Sequence, residues 1–283
     1  MNNSIINATV SMNALQQRLD LLAENMANIN TAGYKRKQAS FQDLLTNAKQ
    51  QPEAFLRDGR VSPLGYNQGW GARFIQQGPD MTQGALKQTG TSTDLALDGN
   101  ALFVVAADDN GGIGYTRSGA FQLTVNGEGD TILATEAGYP VMGRVPVETP
   151  NGVVLRDGPI VVPEGVSLQI SNEGVIAGVR ADGSRIQLGQ LSLVQPTRPD
   201  ALVAVADNLF AVPSDVDTAD VLTQVQAGAD SGVAVRQGYI EQSNVDIVEE
   251  MTELLSVQRA YQLSARALSS ADSMAGLANN MRA

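Results

Sequence analysis

Apolar residues recur with a seven-residue period at the start of the chain. Steps of seven from Ile5 reach Met12, Leu19 and Met26, and a second register, three residues later, contains Ala8, Leu15, Leu22 and Ile29. No proline or glycine interrupts residues 3–32. The pattern predicts a long amphipathic helix, and Gly33 is well placed to end it.

The end of the chain predicts a second long helix, over residues 245–281. Good helix formers dominate this stretch, and it contains no proline. At about 1.5 Å per residue the helix would be roughly 55 Å long. Its apolar residues form two stripes, one with Met251, Leu254, Tyr261, Leu268 and Ala275, the other with Leu263, Ala267, Met274, Leu277 and Met281. A helix that is apolar on two sides needs more than one neighbour.

The N-terminal helix carries few charges for a solvated helix. Only Arg18, Asp20 and Glu24 are charged between residues 3 and 32, which favours contacts with several protein neighbours. An ordinary helical hairpin packed on a globular domain is the simpler alternative. We expect the terminal helices to pair as a coiled-coil-like domain and to form an assembly interface of Ile5, Met12, Leu15, Leu19, Leu22, Met26, Met251, Leu254, Tyr261 and Leu268.

Between the helices the pattern changes to short apolar or alternating runs about ten residues apart. This spacing, with turn residues between the runs, is typical of an all-β sandwich or barrel. The predicted strands are 95–97, 102–106, 121–125, 131–133, 153–155, 160–162, 167–170, 175–179, 185–188 and 191–194, with hairpin turns at 126–127, 157–158 and 182–183. Residues 201–212 fit a strand pair or a strand and a turn. The fold class is therefore α+β.

Three connecting segments carry weaker signals. Phe41, Leu44 and Leu45 predict one or two further helical turns within residues 35–50. Eight glycines and prolines over residues 51–79, the stretch that holds the single tryptophan, predict irregular structure. Residues 216–235 are acidic and weakly patterned, as expected of a return path. We divide the chain into 1–34 and 236–283 as the two halves of an inner helical domain, 35–90 as a connecting segment, and 91–235 as a β-rich outer domain.

Composition excludes several classes of function. The net charge of −11 argues against a nucleic acid as partner. The densest basic spot, Lys35, Arg36 and Lys37, is interpreted as solvated surface that complements a helix dipole. With no cysteine or histidine there is no disulfide, thiol nucleophile or Cys/His metal site. The longest apolar run, residues 101–107, is too short for insertion into a lipid membrane, and the N-terminus does not have the pattern of a cleaved signal peptide.

No constellation of residues predicts catalysis or the binding of a cofactor or metal. The acidic turns at residues 108–110 and 215–220 lack the spacing of a calcium loop. No phosphate-binding loop, dinucleotide fingerprint or nucleophile elbow is found. A secreted β-domain enzyme acting on wall polysaccharide would need an acid pair that nothing singles out. An adhesin-like binding module would need clustered aromatic residues, but only 5% of the residues are aromatic.

Four motifs nevertheless resemble one family, the flagellar rod and hook proteins of bacteria. They are ANINTAGYKR at residues 27–36, LALDGNALFVV at 95–105, YTRSGAFQL at 115–123, and the long stretch 237–274 with QRAY at 258–261. The second motif departs from the family at Asn100, Ala101 and Leu102, where a second glycine and an aromatic residue are more usual.

The resemblance implies a structural subunit, not an enzyme, with no cofactor. Such proteins stack helically into a hollow shaft in the flagellar basal body, which crosses the cell envelope outside the cytoplasmic membrane. The shaft carries torque and passes exported subunits. The implied partners are further copies of the chain, proximal-rod and hook or hook-junction subunits, the flagellar type III export apparatus and the surrounding ring bushing. Within the family, a proximal-rod or hook subunit is the alternative to a distal-rod subunit.

Overall fold

A computed structural model of the chain describes residues 3–49, 66–107, 112–127, 129–149, 152–180, 182–205, 208–228 and 231–280. The chain forms two compact units. The helical unit comprises residues 1–26, 37–77 and 246–283, and the β unit comprises residues 27–36 and 78–245.

The elements follow one another along the chain in the order predicted for an α+β protein, with a helix at each end and a mostly β middle. They are α1 (Asn3–Ala27), β1 (Lys37–Lys49), β2 (Tyr66–Pro79), β3 (Leu86–Gln88), β4 (Leu95–Asp98), β5 (Leu102–Ala106), β6 (Ile113–Thr116), β7 (Phe121–Val125), β8 (Thr131–Thr135), β9 (Met142–Thr149), β10 (Gly152–Pro159), β11 (Ser167–Ile170), β12 (Val175–Val179), β13 (Arg185–Leu191), β14 (Leu193–Pro196), β15 (Val203–Ala204), β16 (Leu209–Ala211), α2 (Thr218–Val221), β17 (Leu222–Val225), β18 (Ala234–Gln237), β19 (Tyr239–Glu241) and α3 (Ile247–Asn280).

The helical unit contains α1, α3 and a two-stranded sheet of β1 and β2. The carboxylate of Asp246 accepts the backbone N–H groups of Val248 at 2.8 Å and Glu249 at 3.3 Å, and so satisfies free donors in the first turn of α3. α1 ends at Ala27, six residues before Gly33, and the chain turns where the Thr31 N–H donates to the Asn28 carbonyl at 3.2 Å. The predicted extension of the helix to Gly33 is therefore wrong.

Two predictions for the connecting segments are also wrong. Residues 37–49 form strand β1 and not helical turns, and residues 66–79, expected to be irregular, form its partner β2. The edge-to-face rings of Phe41 and Phe74, with centroids 6.3 Å apart, link the two strands. Residues 51–65 of the predicted irregular segment lie outside the described residues.

The β unit is built around two larger antiparallel sheets. One contains five strands in the order β10-β9-β13-β12-β11, and the other contains six in the order β15-β16-β6-β5-β14-β17. Three strand pairs complete the unit, β18 with β4, β19 with β3, and β7 with β8. The last strands of the unit, β18 and β19, thus pair with its first strands.

Strand β5 lies between two hydrophobic clusters. Phe103 and Val105 belong to the larger cluster, whereas Leu102 and Val104 face the smaller one. Because successive side chains of a strand point to opposite faces, a strand covered on both sides has to be apolar throughout. This explains the unbroken apolar run that was visible in the sequence.

Most of the predicted β strands are confirmed, some with shifted ends, and so are the turns at 126–127 and 182–183 and a strand pair, β15 and β16, within 201–212. The prediction of a hairpin turn at 157–158 is wrong, because both residues lie inside β10 and pair with β9. Residues 160–162 form an isolated bridge between Val161 and Ile132 and not a full strand, although Ile160 and Val162 also make backbone hydrogen bonds to their neighbours. The acidic return path contains α2 and β17, and Asp217 accepts the Ala219 N–H at 3.0 Å to cap α2.

Candidate assembly surface and buried charge cluster

One side of α3 forms a seam at heptad spacing. Its side chains are buried or half-buried in the single chain and follow one another at intervals of four and three residues, at Glu250, Leu254, Val257, Tyr261, Ser264, Leu268 and Ala271. Three of the predicted interface residues, Leu254, Tyr261 and Leu268, belong to this seam. The alternation of four and three is the spacing expected of a helix packed along a single line of neighbours.

The most buried side of α1 is displaced from the predicted stripes. Ala14, Leu21, Leu22 and Asn25 are buried, and of the predicted residues only Leu22 is among them. The other five predicted residues of this helix are half-buried, at Ile5, Met12, Leu15, Leu19 and Met26. The heptad pattern therefore located the apolar residues of α1, but it did not identify its most buried side.

Polar contacts link α1, α3 and β1 in the helical unit. The Asn25 amide donates to a Glu250 carboxylate oxygen at 3.3 Å and to the Lys37 carbonyl at 3.0 Å, and its oxygen accepts the Lys37 N–H at 3.0 Å. Arg18 forms an ion pair with Glu253. These contacts connect the two helices directly, whereas pairing along the predicted apolar stripes stays a prediction.

A second side of α3 presents apolar side chains to solvent. Ile247, Val248, Met251 and Leu255, here called the outer patch, are between 47% and 71% exposed. At 3.6 residues per turn the outer patch lies about a third of a turn around the helix from the seam. Further along, Leu263, Met274 and Leu277 of the second predicted stripe are also exposed. Met251, a predicted interface residue, is thus in the outer patch and not in the seam.

The β unit contains a cluster of three buried charges centred on Glu241 of β19. One carboxylate oxygen accepts the Lys35 ammonium at 2.7 Å and the Gly84 N–H at 2.9 Å. The other oxygen accepts the Nε–H of Arg117 at 2.5 Å. All three charged residues are at most 3% exposed. A buried carboxylate is tolerated when it is paired and hydrogen-bonded in this way.

Backbone carbonyl groups accept further hydrogen bonds from the two cations of the cluster. Arg117 donates to the Leu97 carbonyl at 3.0 Å and to the Ala101 carbonyl, and Lys35 donates to the Thr82 carbonyl at 2.6 Å. Burial lowers the pKa of the Lys35 ammonium, and the neighbouring Glu241 carboxylate opposes that shift. The cluster therefore joins the loop at residues 28–36, the loop at 82–84, strand β4, the residue that follows β6 and strand β19.

Gly33 lets the chain pass close to the cluster. Its φ of +68° is a left-handed conformation, and its N–H donates to the Glu241 carbonyl at 2.8 Å. A Cβ at this position would lie 2.4 Å from the backbone nitrogen of Ser118. Only a glycine can combine this backbone conformation with so close an approach.

We expect Gly33→Ala to destabilise the β unit more than Gly90→Ala does. Both glycines have positive φ, so both substitutions incur the left-handed penalty of about 1–2 kcal/mol. A Cβ at Gly90 meets nothing within 4 Å, whereas at Gly33 it meets backbone. Urea unfolding of the two variants should separate them by at least about 1 kcal/mol; equal losses would show that the chain can shift away from Ser118.

Sequence reasoning missed this cluster. The interpretation of Lys35 as solvated surface is wrong, because its side chain is buried against Glu241. Sequence patterns do not single out Glu241 and Arg117, because Glu241 lies 206 positions from Lys35 and 124 positions from Arg117. Their only mark in the sequence is that each lies inside a motif of the flagellar family.

Neither a metal centre nor a membrane span emerges from the described residues. No three His, Cys, Asp or Glu side chains in that part of the chain are grouped closely enough to hold a metal ion. Among the described helices, none has an apolar stretch long enough to cross a membrane.

Three family models match the chain. The flagella basal body rod protein model matches residues 7–35, the flagellar hook protein FlgE/F/G D1 domain matches 96–178, and the flagellar basal body rod FlgEFG protein C-terminal model matches 236–281. Lys35, Arg117 and Glu241 fall one in each of these regions. The buried charge cluster is therefore the place where the three matched regions meet.

Full-length relatives agree with the family models. The flagellar basal-body rod protein FlgG of Borreliella burgdorferi is 32% identical over 100% of this chain and 99% of its own length. FlgG of Agrobacterium fabrum is 32% identical over 95% of each chain, and the flagellar hook-basal body complex protein FlhP of Bacillus subtilis is 30% identical over all of both. The chain therefore belongs to the flagellar rod and hook protein family, most like FlgG, the distal rod protein, and is a structural subunit of the rod in the flagellar basal body.

Proposed function

We propose that this chain polymerises helically into the distal part of the rod, a hollow axial shaft that transmits torque from the motor to the hook and passes exported subunits. The observation that carries the proposal is the outer patch of α3. Four apolar side chains exposed side by side on a helix whose other side is already buried favour contact with a second protein surface. In a helical polymer every subunit meets such a surface on its neighbour.

The ten predicted interface residues remain our proposal for the subunit contacts. Met251 is the one member of this set that is exposed in the single chain. Leu254, Tyr261 and Leu268 would contribute through the seam, where they are half-buried in the single chain. We extend the interface to Ile247, Val248 and Leu255, which share the outer patch with Met251. The helices would pair in a coiled-coil-like manner, with the β unit as the outer domain.

The proposed partners are other copies of the chain, proximal-rod subunits on one side and hook or hook-junction subunits on the other. The flagellar type III export apparatus would deliver the chain, and a ring bushing would surround the shaft. We propose no catalytic activity. The buried carboxylate and cations of the β unit are all engaged with one another or with backbone groups.

A second candidate is a proximal-rod or hook subunit. The full-length similarity to FlhP, a protein named for the hook-basal body complex, favours keeping it. A distal-rod subunit is preferred because FlgG proteins of several bacteria match the chain over at least 93% of its length.

Sedimentation of the full-length protein over a range of concentrations tests the proposal. We expect pelleted material to appear above a critical concentration and to show hollow tubes or rods by negative-stain microscopy. Seeds of purified proximal rod should lower that concentration. A protein that stays monomeric at all concentrations, with and without seeds, would contradict assembly into a shaft.

A further inference from the structure

The loop at residues 31–36, here called the strap, belongs to the β unit but contributes no strand to it. It follows α1 closely and leads directly into β1, so both of its ends continue into the helical unit. Neither hydrophobic cluster of the β unit contains a strap residue. The strap thus lies outside both apolar clusters of the β unit.

Polar contacts fasten the strap along its length. The Asn208 amide donates to the Ala32 carbonyl at 3.2 Å, and the Arg36 N–H donates to the Asn244 side-chain oxygen at 2.7 Å. The Asp80 N–H donates to the Arg36 carbonyl at 2.8 Å. Tyr34, 6% exposed, is its one large buried apolar side chain. Such a segment can open locally at a lower free energy than the sheets beneath it.

Lys35 is the strap's only charged contribution to the buried cluster. Its ammonium lies between the Thr82 carbonyl and a Glu241 carboxylate oxygen, at 2.6 and 2.7 Å. Every other partner in the cluster belongs to the β unit outside the strap. Glu241 keeps Arg117 and the Gly84 N–H when the ammonium leaves, so the pair that remains is neutral in total.

We propose that the strap is a conformational latch that opens and closes on the β unit, with the Lys35 ammonium as the group that holds it shut. Docking requires the ammonium to lose its water, and burial lowers its pKa accordingly. In the open state the Glu241–Arg117 pair stays in place, because Arg117 is fixed by the carbonyls of Leu97 and Ala101. When the strap opens, the residues directly before and after it are no longer fixed to the β unit, while the sheets stay folded.

Hydrogen exchange of the full-length wild-type protein in low concentrations of urea tests the latch without any substitution. Local opening exposes little surface and depends weakly on urea, whereas global unfolding depends strongly on it. We expect the amides of Gly33 and Arg36 to exchange with a small urea slope and those of β5 with a large one. A common slope for the strap and β5 would overturn the proposal, because the strap would then open only with the whole unit.

A matched pair of lysine substitutions identifies the holding group. Lys35→Met removes the ammonium and keeps a long side chain, and Lys87→Met makes the same change at an exposed position of β3. We expect exchange at Gly33 and Arg36 to rise about ten- to hundredfold in Lys35→Met alone, with Gly84 and β5 unchanged. Unchanged exchange in the strap, or an equal rise in β5, would overturn the role of Lys35.

Discussion

Replacing Glu241 with alanine should destabilise the β unit by about 3–5 kcal/mol, which is the cost typical of removing one partner from a buried ion pair. The substitution leaves Lys35 and Arg117 buried beside each other without their carboxylate. It also removes the acceptor of the Gly84 N–H. Unlike the loss of Lys35, which we expect to open only the strap, the loss of Glu241 leaves Arg117 buried without a carboxylate even when the strap is open. It should therefore lower the free energy of unfolding of the whole unit.

Urea unfolding followed by circular dichroism measures this loss, and Asp98→Ala provides the control. Asp98 forms an ion pair with Arg236 in the same unit, at 2.6 Å, but the two side chains are 41% and 51% exposed. Exposed pairs contribute at most about 1 kcal/mol. If Glu241→Ala fails to fold, Glu241→Gln retains the shape and should show an intermediate loss. Equal losses at Asp98 and Glu241 would show that the buried cluster contributes no more than a surface pair.

The sequence predicted those parts of the fold that depend on local pattern. The helices at both ends follow from heptads without proline. Strand β5 follows from an unbroken apolar run in which four consecutive residues, 102–105, belong to two clusters. In each case the element is stabilised mainly by burial of apolar residues at regular spacing. That spacing can be recognised in the sequence. The apolar stripes of α1 showed its amphipathic character, but the buried Asn25 lies outside both stripes.

The pairing of β1 with β2 could not be predicted in the same way. Phe41, Leu44 and Leu45 have helical spacing. Glycines at 69, 71 and 78 interrupt the apolar pattern of the segment that forms β2. Each segment alone has a poor strand pattern, and the strands are stabilised by each other and by contacts such as that of Phe41 with Phe74. Strand formation depends on such tertiary context more than helix formation does.

The buried charge cluster was hidden for a different reason. A lysine in a basic run is usually solvated, and nothing near Lys35 in the sequence announces a carboxylate 206 residues away. Burial of Lys35 becomes favourable only when β19 and the strap bring Glu241 and Thr82 to it. The candidate assembly surface, in contrast, was partly predictable, because an apolar stripe on a helix is a local property.

Substituting the outer patch should abolish assembly at concentrations where the wild type polymerises. In the double variant Met251→Gln, Leu255→Gln, two side chains that are 50% and 53% exposed in the single chain become polar. Burying them at a subunit contact would have contributed about 1 kcal/mol or more each, and burying an amide without a partner costs about 1–3 kcal/mol. We therefore expect the critical concentration to rise at least about hundredfold.

The control for this variant keeps the same helix and the same number of new glutamines. Ser256→Gln with Ser270→Gln alters two exposed polar positions of α3 and leaves the outer patch intact. Both variants should retain wild-type helicity by circular dichroism, since glutamine is a good helix former. Sedimentation should then show polymer for the wild type and the serine variant only. Because the seam at Val257 and Tyr261 is unchanged in both proteins, a loss confined to the patch variant assigns the subunit contact to the outer patch, whereas equal polymerisation of the two variants would place the contact elsewhere on the chain.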